Sequence, residues 1–247
     1  MKNTVGLVFC SGYGKRLLPY TEEIPKPILL KQNNKTFLEI NIEKLINLGI
    51  EKIFVSYSYG YDFFAEIAHK YPNTVELIHE EQPVGQGKTI CNLIPQIKGY
   101  KYLYTANGDT IMKYDSKDFF NYLVNNNVDF LISSCNDSLV EKSLLVDETW
   151  QLYGWKTANK EYIYTKRPDN VIYANSLGDN IFKIPSLLDV YEEASLQDFL
   201  GLFGENDLAE IMIKQNKSVK LKIVDIHSYY SINTIEEFIK FNEIHNA

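Results

Sequence analysis

Between Gly12 and Pro27 the chain places glycines and cations at spacings suited to holding phosphate. The stretch reads Gly12-Tyr13-Gly14-Lys15-Arg16-Leu17-Leu18-Pro19-Tyr20-Thr21-Glu22-Glu23-Ile24-Pro25-Lys26-Pro27. Glycine lets backbone amides approach a ligand closely. Lys15 and Arg16 follow Gly14 directly, and Lys26 stands between two prolines that stiffen the backbone around it. Amide donors, a guanidinium and ammonium charges with little freedom to drift are what a phosphate-rich ligand needs. A second stretch, Asn107-Gly108-Asp109-Thr110, ends an apolar aromatic run from Tyr100 to Ala106. A carboxylate at such a strand end suits a hard cation such as Mg2+, although alone this is also a common turn composition.

Two other phosphate motifs fail on their spacing. Gly87-Lys88-Thr89 looks like the end of a P-loop, but position 82, where that motif needs its first glycine, is Gln. A dinucleotide-binding fingerprint starting at Gly12 would need a third glycine at position 17, which is Leu. The net charge of −7 over 247 residues argues against a general nucleic-acid surface. The loop cations are therefore local exceptions, as a small anionic ligand requires. The three cysteines and four histidines are scattered, without zinc spacing. No apolar run is long enough to span a bilayer, and no signal peptide is visible. These features lead us to expect a cytoplasmic protein with neither nucleic-acid nor membrane partners, leaving room for a homo-oligomer.

The Gly12–Pro27 stretch closely resembles the signature of the sugar-phosphate nucleotidyltransferases, Gly-x-Gly-x-Arg-Leu-x-Pro-x-Thr-x-x-x-Pro-Lys-Pro. The match covers Gly12, Gly14, Arg16, Leu17, Pro19, Thr21, Pro25, Lys26 and Pro27. Cys10-Ser11 replaces the small Ala or Gly pair usual before it, and Ser11 is small enough to keep close approach to a nucleotide. The resemblance implies a Rossmann-like fold and a Mg2+-dependent enzyme. That enzyme would join a nucleoside triphosphate to a sugar 1-phosphate in nucleotide-sugar biosynthesis for cell-surface polysaccharide. It implies catalytic roles for Arg16 and Lys26, with Ser11, Gly12, Gly14 and Lys15 on the nucleotide. Pro83-Val84-Gly85-Gln86-Gly87-Lys88 resembles the family's nucleobase segment, implying Gly85, Gly87 and Lys88 there. Asp109 matches the metal-binding Gly-Asp. Lys166-Arg167-Pro168 resembles the element whose lysine binds the acceptor phosphate, and Asn175 and Asp179 fall where the family has a sugar-contacting strand.

The largest departure lies at Tyr229-Tyr230-Ser231-Ile232-Asn233-Thr234, where the family closes with Trp-x-Asp-x-Gly-Thr. Ser231 replaces the second metal carboxylate, and Asn233 occupies the glycine position. Asp225 from the preceding strand could supply the charge, Ser231 could act through water, or metal binding could rest mainly on Asp109. The ending also resembles that of cytidylyltransferases acting on phosphocholine-like acceptors. A non-catalytic nucleotide-binding regulator is a further alternative.

Apolar patterning supplies the elements that would position these residues. Strands are expected at Val5–Cys10, Ile53–Tyr57, Val75–His79, Tyr100–Ala106 and Phe130–Ser134. Helices are expected at Thr36–Leu48, Tyr61–Tyr71 and Asp118–Asn125. This alternation predicts an α/β fold whose mixed, mostly parallel sheet carries helices on both faces. Ligands in such sheets bind at the carboxyl ends of the strands. Short strand-like runs follow at Ser143–Val146, Gln151–Trp155 and Tyr162–Lys166, forming a smaller β-rich part. Helices at Ile184–Glu193, Asp207–Gln215 and Ile235–Glu243 and a strand at Val219–Val224 complete the expectation. We expect one domain over 1–247, with a nucleotide-binding half (1–135) and an acceptor-binding half (136–247). The switch between them is expected near Cys135–Ser143.

Overall fold

The computed structural model describes residues 1–135, 143–157, 159–196, 203–225 and 229–245. Most of the expected switch falls outside these residues. The chain forms two compact units. The first comprises Met1–Pro83, Thr105–Lys113 and Tyr229–Ala247, and the second Val84–Tyr104 and Tyr114–Ser228. Each unit thus draws on both sequence halves.

The first unit is a parallel α/β arrangement. It contains β1 (Thr4–Phe9), α1 (Lys26–Leu29), the two-residue strands β2 (Lys31–Gln32) and β3 (Lys35–Thr36), α2 (Phe37–Asn47), β4 (Ile53–Tyr57), α3 (Tyr61–Lys70) and β5 (Val75–His79). The strands β5, β4 and β1 pair in parallel in that order, and the end of β6 (Tyr102–Asn107) lies beside β1. Parallel pairing requires crossovers, which α2 and α3 provide. Helix α2 starts where Thr36 and Glu39 close a capping box: Glu39 N donates to Thr36 Oγ1 at 3.1 Å, and Thr36 N to Glu39 Oε2 at 2.9 Å. Thr36 is thus the cap, one residue outside the helix, satisfying end donors the helix cannot.

Two further strands belong to this unit. β7 (Thr110–Met112) and β14 (Tyr229–Ser231) pair antiparallel with Ser231 opposite Thr110, and α8 (Ile235–His245) follows. Leu17, Leu30, Phe37, Ile111, Ile232, Phe238 and Phe241 form one buried cluster beneath these segments. Burying such side chains contributes about 1.5–3 kcal/mol each. That burial joins the signature loop, β7 and β14, which are far apart in sequence.

The second unit carries α4 (Gln86–Ile97), α5 (Ser116–Asn125), β8 (Phe130–Cys135), β9 (Ser143–Val146), β10 (Leu152–Lys156), β11 (Glu161–Ile163), β12 (Ile172–Lys183), α6 (Ile184–Leu196), α7 (Glu205–Lys214) and β13 (Val219–Ile223). Strands β11, β10, β9, β12 and β8 pair antiparallel in that order, and β13 joins β8 in parallel. Antiparallel neighbours need only short connections. Between β9 and β10, Asp147 Oδ1 accepts from Thr149 N at 2.8 Å and Gln151 N at 3.1 Å, closing the turn. The expected strand Tyr162–Lys166 is instead Glu161–Ile163, and Lys166 follows it in a loop.

The register of β12 on β8 shifts between Ser176 and Asn180. The irregularity re-aims Asp179 inward, as bulges do. Asp179 Oδ2 accepts from the hydroxyls of Tyr104 at 2.9 Å and Tyr114 at 3.1 Å, and those hydroxyls are themselves 3.0 Å apart. Burial, and then the Asp179 charge, push both phenols well above their ordinary range, so both remain donors.

Candidate active site

The signature loop leaves β1 and returns through α1. Gly14 has φ +62, and a Cβ there would sit 3.0 Å from Thr21 Cγ2 and 3.3 Å from Lys26 Cβ. Only glycine tolerates both the left-handed backbone and the crowding. Thr21 Oγ1 donates to Gly14 O at 2.9 Å, and Tyr59 OH donates to Thr21 O at 3.0 Å. The loop is thereby folded onto itself and tied to the segment after β4. Ser11 is held likewise: its Oγ donates to Ser56 Oγ at 3.0 Å, and Ser58 Oγ donates to Ser11 O at 2.6 Å. Among the described residues nothing lies within 4 Å of the position a Gly12 Cβ would take, so their packing does not require glycine there.

Lys26 is the first residue of α1. Its side chain is only 6% exposed, yet Nζ lies 2.6 Å from Asp109 Oδ2 and 3.3 Å from Asn233 Oδ1. Arg16 Nη2 donates to the same Asn233 Oδ1 at 2.8 Å, and Asn233 Nδ2 donates to Ser231 Oγ at 2.9 Å. Three segments therefore meet at one point: the signature loop, the β6–β7 turn and the end of β14. Each is fastened by a neighbour in the buried cluster, Leu17 beside Arg16, Ile111 near Asp109 and Ile232 beside Asn233. Asn41, buried on α2, locks the turn bearing Asp109 by donating to Thr110 O at 2.9 Å and Asn107 O at 3.3 Å.

Asp109 keeps a side chain 35% exposed, and its Oδ1 accepts from Thr110 Oγ1 at 3.3 Å. Among the described residues no group of three or more His, Cys, Asp or Glu could hold a metal. One accessible carboxylate suits Mg2+, which takes one or two protein carboxylates and completes its shell with water and phosphate. Lys15 is exposed, with its ammonium 5.7 Å from the centroid of the Tyr13 ring. Cys10 is buried, and burial, with the Asp109 charge second, pushes its thiol well up, so it stays protonated and is no nucleophile.

The remaining sequence-derived candidates belong to the second unit. At Gly85 and Gly87 a Cβ would overlap the backbone of Phe203 and Gly204. Phe203 N donates to Val84 O at 3.1 Å, and Lys88 N to Phe203 O at 3.3 Å. These two glycines are accounted for by close approach of another backbone segment. Lys88 Nζ donates to Ser195 O at 3.4 Å. Lys166 is exposed, while Arg167 pairs with Glu161 at 3.0 Å. Asn175 is buried, and Ser134 Oγ donates to its carbonyl at 2.7 Å. Asp179 is 1% exposed and is engaged by the two tyrosines. Asp225 is exposed just beyond β13. Sequence reasoning missed Asn41, Ser56 and Ser58 as supports, and named Thr21 only as part of the signature. Asn41 had a visible signal, an amide within an otherwise apolar helix face.

The chain is 28% identical over 227 residues to the bifunctional protein GlmU of Methanococcus vannielii, covering 91% of this chain and 50% of that protein. It is 31% identical over 111 residues to D-glycero-alpha-D-manno-heptose 1-phosphate guanylyltransferase of Campylobacter jejuni, covering 44% of this chain and 49% of that protein. The chain thus spans about half the length of these curated relatives. The fold matches HddC from Yersinia pseudotuberculosis with a TM-score of 0.70 at 23% identity, over 97% of this chain and 98% of that one. It matches LicC, the CTP:phosphocholine cytidylyltransferase of Streptococcus pneumoniae, with a TM-score of 0.69 at 16% identity, over 98% of each. The family model for nucleotidyl transferases matches residues 5–141, and the chain, with its glycine loop and Lys26–Asp109 pair, belongs to that family.

Proposed function

We propose that the protein transfers a nucleotidyl group from a nucleoside triphosphate to a sugar 1-phosphate, releasing pyrophosphate and a nucleoside diphosphate sugar. The observation that carries this reading is the Lys26 ammonium, nearly buried and held between Asp109 and Asn233 beside the Arg16 guanidinium. A phosphate oxygen of the acceptor attacks the α-phosphorus in line. The new P–O bond forms as the bond to the β-bridging oxygen breaks, and pyrophosphate leaves with that electron pair. The acceptor phosphate is its own nucleophile, so the protein contributes positioning and charge neutralisation.

Arg16 and Lys15 hold the triphosphate and receive the charge of the leaving pyrophosphate. Ser11, Gly12 and Gly14 let the nucleotide approach the backbone after β1. Lys26 turns from Asp109 toward the α-phosphate and stabilises the charge that develops there. Asp109 would then hold Mg2+, which when bound neutralises phosphate charge. Gly85, Gly87 and Lys88 are assigned to the nucleobase side, the Lys88 amide itself being engaged by Phe203 O. Lys166 is assigned to the acceptor phosphate, and Asn175 and Asp179, both buried in β12, to the acceptor side as supports of that strand. Asp225 is a candidate second carboxylate. Three free, buried cysteines support a cytoplasmic setting.

The test is pyrophosphate release from a panel of triphosphates against sugar 1-phosphates and phosphocholine. GTP heads the panel because relatives include heptose and mannose 1-phosphate guanylyltransferases, and a solved HddC structure is a complex with GMP-PN. Release with a sugar 1-phosphate supports the proposal, and release only with phosphocholine replaces the acceptor class. Tight triphosphate binding without release in any combination points to a regulator.

A further inference from the structure

Resting on the nucleotidyl-transfer reading, we propose that Asn233 is a positioning residue that aims Arg16 and Lys26 at one phosphate chain without cancelling their charge. A single oxygen, Asn233 Oδ1, accepts from Arg16 Nη2 at 2.8 Å and from Lys26 Nζ at 3.3 Å. Both partners can only donate, so the amide has one workable orientation, and its Nδ2 is left to donate to Ser231 Oγ at 2.9 Å. The backbone is fixed as well. Glu237 Oε2 accepts from Asn233 N at 2.6 Å and Thr234 N at 3.1 Å, while Glu237 N donates to Thr234 Oγ1 at 3.2 Å. Ser231 is anchored opposite Thr110 by the β7–β14 pairing. The amide is therefore held at both ends before any ligand arrives.

Neutrality is the working property. Arg16, Lys26 and Asp109 together carry one net positive charge, which a triphosphate can use. An aspartate at 233 would present a carboxylate to the same two cations and bring the cluster to zero, competing with phosphate for both. A glycine would remove the acceptor and leave a long guanidinium side chain to find its place unaided, at a cost in side-chain entropy. Asn meets both demands, a fixed acceptor and no charge.

The experiment measures GTP binding by calorimetry without acceptor, so that it does not depend on turnover, for Asn233→Ala, Asn233→Asp, Arg16→Ala and the doubles with Arg16→Ala. A hydrogen bond to a charged group corresponds to roughly tenfold to a hundredfold in affinity. Asn233→Ala should weaken GTP by that factor, and by clearly less when Arg16 is already Ala, because only the longer contact to Lys26 then remains for the residue to act through. Asn233→Asp keeps the acceptor and should also weaken GTP by about tenfold while leaving Tm equal or higher, since it adds ion pairs. A merely structural role would lower Tm and affinity together. The proposal is overturned if Asn233→Asp binds GTP like the wild type, or if Asn233→Ala costs the same with and without Arg16. It is equally overturned if the wild type binds no triphosphate of the panel. Should Asn233→Ala fail to fold, Asn233→Asp alone and with Arg16→Ala decide the question. Expected binding behaviour without pyrophosphate release would remove the catalytic reading and leave this inference standing. Turnover with an additive cycle would do the reverse.

Discussion

Replacing Asp109 by Asn should destabilise the ligand-free protein more than replacing Lys26 by Met, although both changes break one ion pair. The asymmetry follows from exposure, since the Lys26 side chain is 6% exposed and that of Asp109 35%. Asp109→Asn leaves a nearly buried ammonium with Asn233 Oδ1 at 3.3 Å and a neutral amide. Removing one partner of a fully buried pair costs roughly 3–5 kcal/mol. Water reaches the Asp109 side of this pair, so about 2–3 kcal/mol is the appropriate figure. Lys26→Met keeps the apolar stem and leaves a carboxylate that water already touches, a loss of about 1 kcal/mol. For a chain of this size each kcal/mol moves Tm by roughly 2–4 °C, giving losses of about 4–12 °C for Asp109→Asn and about 2–4 °C for Lys26→Met. Thermal unfolding followed by circular dichroism reads both. Pyrophosphate, which offers Lys26 a new anion, should restore part of the Asp109→Asn loss. Equal losses, or a larger one for Lys26→Met, would refute the burial argument.

Lys26→Ala should lower kcat/KM for pyrophosphate formation by about two to four orders of magnitude; near-normal turnover in a folded variant would remove Lys26 from the chemistry. Ser231→Asp, opposite Thr110 and one residue from Asp109 in register, should lower the Mg2+ concentration for half-maximal activity; an unchanged metal titration would show that position 231 does not face the ion. Burial alone would raise the Glu39 carboxyl, but hydrogen bonds from Thr36 and Lys70 outweigh it and hold it below the ordinary 4.5. Its contribution is full above the unfolded-state value and is lost as pH falls through the lower folded-state value, so the Tm gap between wild type and Glu39→Gln should be flat near neutrality and narrow below about pH 4.5; a gap that widens in acid would contradict the assignment. A Cβ at Gly108 would overlap Cys10 Sγ, so Gly108→Ala should lower Tm and Cys10→Ala in the same chain should recover part of the loss; simple additivity of the two changes would speak against that contact.

Local signals carried far, and non-local ones did not. Ile53–Tyr57 and Val75–His79 read correctly to the residue because β-branched and aromatic runs bounded by polar residues leave little choice. The ends of α2 and α6 were off because caps and final turns depend on hydrogen bonds that periodicity does not report. The pairing of β7 with β14 was invisible, since three-residue strands over a hundred residues apart have no local signature. Within the candidate site, Arg16, Lys26 and Asp109 could be chosen by type and spacing, and the fold brings them together. Asn233 was read only as the occupant of a glycine position, because a side chain that serves two distant cations is recognisable only once those cations are placed. Gly85 and Gly87 show the converse, as a glycine pair that suits a ligand also suits the neighbouring Phe203–Gly204 backbone.

The Tyr104–Tyr114–Asp179 contact has a consequence for chain statistics. Tyr104 and Tyr114 flank Thr105–Lys113, the short excursion that carries Asp109 into the first unit. Their hydroxyls, ten residues apart in sequence, meet each other and one carboxylate. The excursion is therefore a loop with fixed footings. The tyrosine–tyrosine part of this contact closes a loop of only ten residues, a small entropy cost, while Asp179 joins it from 65 and 75 residues away. The segment bearing Asp109 thus needs only a short arc to be ordered.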